Sequence, residues 1–124
     1  MAAEGYDPQR SQVNETQLAN FLRSSITGNI EEVPGVGASA KQKLAEGEDS
    51  IETTYQLIAK YLSLKGENVD CIEHCERFWL WLKSQGINSY RSGIVLSIAE
   101  KVNTMMPGIY DGALYEQDDE EEKA

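Results

Sequence analysis

The stretch IEEVPGVGASAKQKL at residues 30–44 decides the fold of this 124-residue chain. It contains a short apolar segment, a Pro-Gly-Val-Gly turn and a lysine-bearing segment with helical spacing. Gly35 and Gly37 permit positive φ angles and close approach by another backbone. The first amides of the following helix lack carbonyl partners within that helix, so they can bind an anion. The stretch therefore predicts a hairpin whose turn can hold a phosphate.

Apolar residues on both sides of the turn would fasten this hairpin to a core. Val33 precedes the turn, and Leu44 follows Gly37 by seven residues, which is the spacing of a helix-hairpin-helix motif. The alternative interpretation is that the turn merely links two packed helices, since short glycine turns commonly connect helices without binding anything.

The hairpin provides a candidate DNA-binding site. Backbone amides beside its glycines would bind one phosphate, and lysines of the second hairpin helix would add positive charge beside it. Contacts of this kind position a duplex without reading its sequence. The candidate residues are Gly35, Val36, Gly37, Ser39, Lys41, Gln42 and Lys43.

Helical spacing of apolar residues predicts further helices on both sides of the hairpin. Polar residues able to cap a helix stand at Asn14, Thr53, Asn68 and Ser89, and glycine or proline follows each segment. The predicted helices cover residues 15–25, 38–45, 53–64, 69–85 and 90–105. With the short first hairpin segment, they predict a compact all-α domain of five to six helices without strands.

The formal net charge of −10 is unevenly distributed along the chain. Residues 28–110 hold eight bases and eleven acids, whereas residues 111–124 hold one base and seven acids. The second composition cannot bury enough apolar surface to fold. We therefore expect a flexible N-terminus at residues 1–13, a helical domain at 14–110 and a disordered acidic tail at 111–124.

Several functional classes lack their signatures in this chain. It has one histidine, no nucleotide-binding glycine loop and no carboxylate pair beside a pocket signal, so we expect no catalytic residue, cofactor or small-molecule substrate. Cys71, His74 and Cys75 are too few for a closed metal site, and helical spacing directs both cysteines to the core side of Phe78. No run of apolar residues has the length of a membrane-spanning helix or the pattern of a secretory signal. We therefore expect an intracellular protein.

The predicted helix at residues 69–85 carries more apolar side chains than one core can bury. Its segment FWLWL, residues 78–82, is apolar around the whole helix. Because surface aromatic residues often anchor partners, Trp79, Leu80 and Trp81 form a candidate interface for a partner or a second copy. The alternative is an isolated exposed Leu80, with Trp79 covering the N-terminal helix.

Taken with the hairpin, three further segments make the chain resemble the barrier-to-autointegration factor family of SAM-like helical domains. These segments are TTYQLIAKYLSLKG, FWLWLK and GINSYRSGIVLSIAEKV. The resemblance spans about residues 29–106 in element order and spacing. In that family the hairpin glycines and neighbouring amides grip phosphate, aided by two consecutive lysines that fall here on Gln42 and Lys43. The resemblance also implies dimerisation, association with chromatin and binding of nuclear-envelope proteins.

The sequence therefore predicts non-enzymatic, sequence-independent binding of double-stranded DNA through the hairpin of a dimer. The resemblance implies a nuclear location, and a cytoplasmic one is also open for so small a protein. The acidic balance leaves a second interpretation, in which the chain is a protein-protein interaction adaptor that keeps the fold but does not bind DNA.

Overall fold

A computed structural model describes residues 5–116 of the chain. Its five α-helices are α1 (Glu15–Arg23), α2 (Ala38–Glu46), α3 (Thr54–Ser63), α4 (Cys71–Ser84) and α5 (Arg91–Met105). Three 3-10 turns lie at Pro8–Arg10, Ile30–Glu32 and Gly112–Tyr115. Within residues 5–116 there is no strand, only an isolated bridge between Asn29 and Thr53. The predicted all-α class is confirmed.

The last helix, α5, lies at the centre of the core. Nine of its fifteen residues are buried, among them Ile94, Ile98 and Val102. It packs against α1, α3, α4 and the first 3-10 turn, so it is enclosed on most sides. This enclosure explains why its apolar residues are not confined to one stripe. In the part of the chain that the structure describes, no helix is long and apolar enough to cross a membrane.

Two predicted helix starts are confirmed by their hydrogen bonds. The Asn14 side chain accepts from the amides of Thr16 and Gln17, at 2.8 and 3.1 Å, and opens α1. Thr53 and Gln56 form a reciprocal capping box at the start of α3. Each cap satisfies amides that have no partner within their own helix.

The start of α4 differs from the prediction, which placed Asn68 before the helix. The helix instead begins after Asp70, whose carboxylate accepts from the Glu73 amide at 2.9 Å. Val69, predicted to be helical, is buried in a turn that its amide closes on the Gly66 carbonyl. Burial of Val69 therefore delays the helix, and aspartate caps as well as asparagine does.

A buried lysine of α5 holds α1 on the core. Lys101 is only 6% exposed, and its Nζ donates to the carbonyls of Phe21 and Leu22, at 2.8 and 3.2 Å, and to that of Ser24. The Phe21 ring also lies 5.3 Å from the ammonium. Carbonyls at a helix C-terminus lack intrahelical partners and carry partial negative charge, so one cation satisfies several of them.

Replacing this lysine with Lys101→Met should lower the free energy of unfolding by about 1–3 kcal/mol, because buried carbonyls of α1 lose their donor. Chemical denaturation monitored by circular dichroism measures the change. Lys41→Met, an exposed change in α2, is the matched control and should stay within about 0.5 kcal/mol of the original protein. Equal stability of the two variants would contradict the role given to Lys101.

The polar segment at residues 5–13, assigned from sequence to a flexible N-terminus, lies against α5. The Tyr6 side chain is buried, and its hydroxyl is 2.7 Å from that of Tyr110. The Asp7 amide donates to Ser92 Oγ of α5 at 3.1 Å. A single buried aromatic residue thus docks a segment whose composition predicts no structure. Its flexibility stays a prediction.

The start of the predicted acidic tail also packs on this aromatic cluster. Within residues 111–116, the Tyr115 ring lies 5.2 Å from that of Tyr6 and 6.0 Å from that of Tyr110. The two ends of the described chain therefore meet at three tyrosines. Residues 117–124, which hold most of the predicted acidic run, lie outside the described residues.

The single histidine is buried between α3 and α4. His74 Nε2 lies 2.6 Å from the Tyr61 carbonyl, and the two rings stack at 4.1 Å. Its Nδ1 is buried without a hydrogen-bond partner in the described structure. Desolvation lowers the pKa of His74, the hydrogen bond to Tyr61 opposes this, and the charges of Lys65 and Arg77 lower it further. The folded protein therefore holds this imidazole neutral.

Because the pKa of His74 is lower in the folded state, the unfolded chain binds a proton near pH 6.5 that the folded protein does not. Stability should be intact above that pH and fall as the pH drops below it, with a slope of up to about 1.4 kcal/mol per unit. His74→Gln, which cannot titrate, should show a smaller loss between pH 7 and 5 in urea denaturation. Parallel pH profiles for the two proteins would rule out this linkage.

Candidate nucleic-acid interface

The hairpin at residues 30–44 is a 3-10 turn, a tight turn and α2. The Val36 amide donates to the Val33 carbonyl at 2.9 Å and closes the turn. Val33 and Leu44, the two predicted anchors, are completely buried. Burial on both sides of the turn therefore leaves its backbone as the part able to meet a ligand.

The two hairpin glycines have different structural roles. Gly35 has φ +98°, and a Cβ built on it would lie 3.0 Å from Ile94 Cγ1 and 3.3 Å from Tyr90 Cβ. Gly37 has φ −105°, and a Cβ there would meet nothing within 4 Å. Only Gly35 therefore needs to be glycine for conformation and close packing, whereas the sequence pattern treats both alike.

A carboxylate holds the first arm of the hairpin in place. Glu32 accepts from the amides of Thr27 and Gly28 and from the Thr54 hydroxyl, the last at 2.6 Å. Desolvation opposes its ionisation, but hydrogen bonds from Thr54, Thr27 and Gly28 outweigh it and lower the pKa of Glu32. The Glu32 carboxylate is therefore satisfied within the chain.

A groove of about 520 Å³ opens beside the turn and is called the hairpin groove below. It lies between the segment that begins α1, the turn that begins α2 and the residues that begin α5. Its lining residues are Gln12, Val13, Asn14, Gln17, Gly35, Val36, Gly37, Ala38, Ser39, Ala40, Ser89 and Tyr90. None of these twelve residues carries a formal charge.

The amino-terminal ends of three helices border this one groove. The Asn14 side chain caps α1, but Gly37 and Tyr90, which precede α2 and α5, provide no side-chain cap. The first intrahelical amides of the latter two helices are those of Lys41 and Ile94, each bonding at 2.9 Å. Earlier amides have no intrahelical carbonyl, and the helix dipoles place partial positive charge there. These helix ends therefore direct partial positive charge from the backbone towards the groove.

Four of the seven predicted DNA-binding residues line the groove, namely Gly35, Val36, Gly37 and Ser39. The other three lie outside its lining. Lys43 Nζ donates to the Gly86 carbonyl at 2.8 Å, and Gln42 Nε2 donates to Glu46 at 3.0 Å. Lys41 is exposed on α2. The expected support from side-chain cations is therefore reduced to Lys41, which lies near the groove in sequence but not in its lining.

The structure adds groove residues that the sequence pattern did not predict. Gln12, Asn14 and Gln17 form one wall, and Ser89 and Tyr90 form another. The sequence pattern predicts Asn14 and Ser89 only as helix caps. Helix α5 begins after Tyr90, one residue later than predicted. Tyr90 has φ 62°, a left-handed conformation that no local pattern signals for a tyrosine.

The three residues predicted as a partner interface separate in the structure. Trp79 is 5% exposed, with the Arg91 guanidinium 4.3 Å and Lys83 Nζ 6.0 Å from its ring centre. Trp81 is half-buried and stacks on Phe78. Leu80 is 47% exposed. Trp79 is therefore covered within this chain, whereas Leu80 is exposed and Trp81 is partly exposed, so these two residues are able to contact a partner.

The glycine geometries predict effects of different size for two similar substitutions. Gly35→Ala should lower the free energy of unfolding by more than about 1 kcal/mol, because both its φ angle and its contacts with α5 exclude a Cβ. Gly37→Ala should stay within about 1 kcal/mol, since its φ is ordinary and the space is open. Thermal or urea denaturation compares them, and a larger loss for Gly37→Ala would contradict this hairpin geometry.

No protein-family model, curated protein or solved structure matches this chain. The resemblance to the barrier-to-autointegration factor family therefore stays a prediction based on the quoted segments.

Proposed function

We propose that this protein binds double-stranded DNA without sequence preference, through phosphate contacts in the hairpin groove, and catalyses no reaction. The motif is a helix-hairpin-helix of the barrier-to-autointegration factor type. The observation that carries the proposal is the set of three helix amino termini around one groove, two of them without a side-chain cap. Amides in this arrangement bind phosphate oxygens.

Charge limits how strongly one such site can bind. The groove lining has no cation, and residues 28–110 carry more acids than bases. Each neutralised phosphate contributes about 0.9 to the slope of log affinity against log salt, so a site with few contacts binds weakly. Two sites in a dimer would raise the effective affinity without new contacts. A homodimer is therefore part of the proposal.

Gly37 offers a direct test, because its open surroundings and ordinary φ accept a side chain. Gly37→Glu places a carboxylate beside the free amides, whereas Gly37→Gln adds nearly the same volume without charge. At low salt, Gly37→Glu should bind a blunt DNA duplex about tenfold more weakly than Gly37→Gln, and the difference should shrink as salt is added. Fluorescence anisotropy with a labelled duplex measures both.

Equal binding by these two variants would indicate that DNA contacts a part of the protein outside the groove. The full chain should also be compared with one that lacks residues 117–124, because removal of acidic residues should strengthen DNA binding. If neither form binds duplex at low salt, DNA binding is refuted.

The second candidate function is a protein-interaction adaptor, and exposed Leu80 together with the acidic balance favours it. If the protein does not bind duplex DNA, the adaptor function becomes the favoured interpretation. Under the first proposal the protein would act in chromatin within the nucleus, with nuclear-envelope proteins as further partners. Under the second, a cytoplasmic location fits equally well.

A further inference from the structure

One wall of the hairpin groove carries an aromatic ring with no partner in the described chain. Tyr90 lines the groove and is 47% exposed. Within residues 5–116, no ring or cation contacts this side chain, and its hydroxyl makes no hydrogen bond. Most other tyrosines of the described chain are buried or packed on rings. Tyr90 thus brings an unpartnered aromatic side chain to the groove that contains the proposed phosphate site.

The backbone places the Cβ atom of Tyr90 in a defined position. Tyr90 adopts φ 62° and ψ 21° immediately before α5, and its Cβ lies against the Gly35 turn, where a second Cβ would not fit. Tyr90 and the uncapped start of α2 therefore line one groove of about 520 Å³, a volume within the range of sites for small organic ligands.

We infer that the hairpin groove accepts an unpaired nucleotide of bound DNA, with its base stacked on Tyr90 and its phosphate on the amides that begin α2. This inference rests on the proposed DNA binding and names the form of DNA that the site prefers. Bases stack on aromatic rings whatever their identity, so the contact stays independent of sequence. Within a duplex, base pairing and neighbouring pairs restrict access to the base faces, whereas a single-stranded segment provides unpaired bases that can stack on an aromatic ring.

The test compares a blunt duplex with the same duplex carrying a short single-stranded extension. The original protein and Tyr90→Phe should prefer the extended DNA, whereas Tyr90→Leu should lose that preference by weakening extended-DNA binding about 5- to 100-fold. Tyr55→Leu is the matched control, because Tyr55 is 57% exposed on α3 but does not line the groove. It should retain the preference. Fluorescence anisotropy provides the affinities.

A spectroscopic readout reports the stacking of the base directly. A 2-aminopurine base in the single-stranded extension should lose fluorescence on binding the original protein, because stacking quenches it, and Tyr90→Leu should abolish the quenching. Equal affinity of the original protein for both DNAs, or quenching that persists in Tyr90→Leu, would overturn the inference while blunt-duplex binding upheld the proposed function. Failure to bind either DNA would refute both.

Discussion

The close approach of the hairpin turn to the first turn of α5 is the constraint on which the rest of the structure depends. Gly35 can lie against Ile94 and Tyr90 only because it has no Cβ and tolerates a positive φ. This contact ties the start of α2 to the most buried helix of the core. It also brings two helix amino termini to one place, from which the properties of the groove follow.

Two polar side chains, buried Lys101 and partly buried Glu32, support this arrangement by closing a helix end and a loop. Lys101 satisfies the carbonyls that end α1, and Glu32 gathers amides and a hydroxyl around the first hairpin arm. Several hydrogen bonds offset the desolvation of each group, and for buried Lys101 they are the condition for burying a charge. Because α1 is held on α5, its capped start becomes a wall of the groove. The polar interactions of the core thus shape a site that itself contains no charged side chain.

The hairpin groove differs from common phosphate sites in what its backbone and its side chains contribute. Phosphate sites commonly combine amides with lysine or arginine. Here Lys43 is bonded to the Gly86 carbonyl, and Gln42 is paired with Glu46 on the same helix. The partial positive charge beside the groove therefore comes from helix ends, whose influence falls off within one turn. Such a site favours ligands that enter the groove closely, which is why its shape and the free Tyr90 ring bear on its specificity.

The sequence by itself determined the helices and the hairpin, because caps such as Asn14 and Thr53 and the spacing of Val33 and Leu44 act over a few residues. Tertiary structure alone decided how those helices end against one another. No local pattern reveals that Trp79 is covered by a cation or that Tyr90 becomes left-handed at a groove wall. These outcomes depend on contacts between residues distant in sequence, where packing overrides local preference.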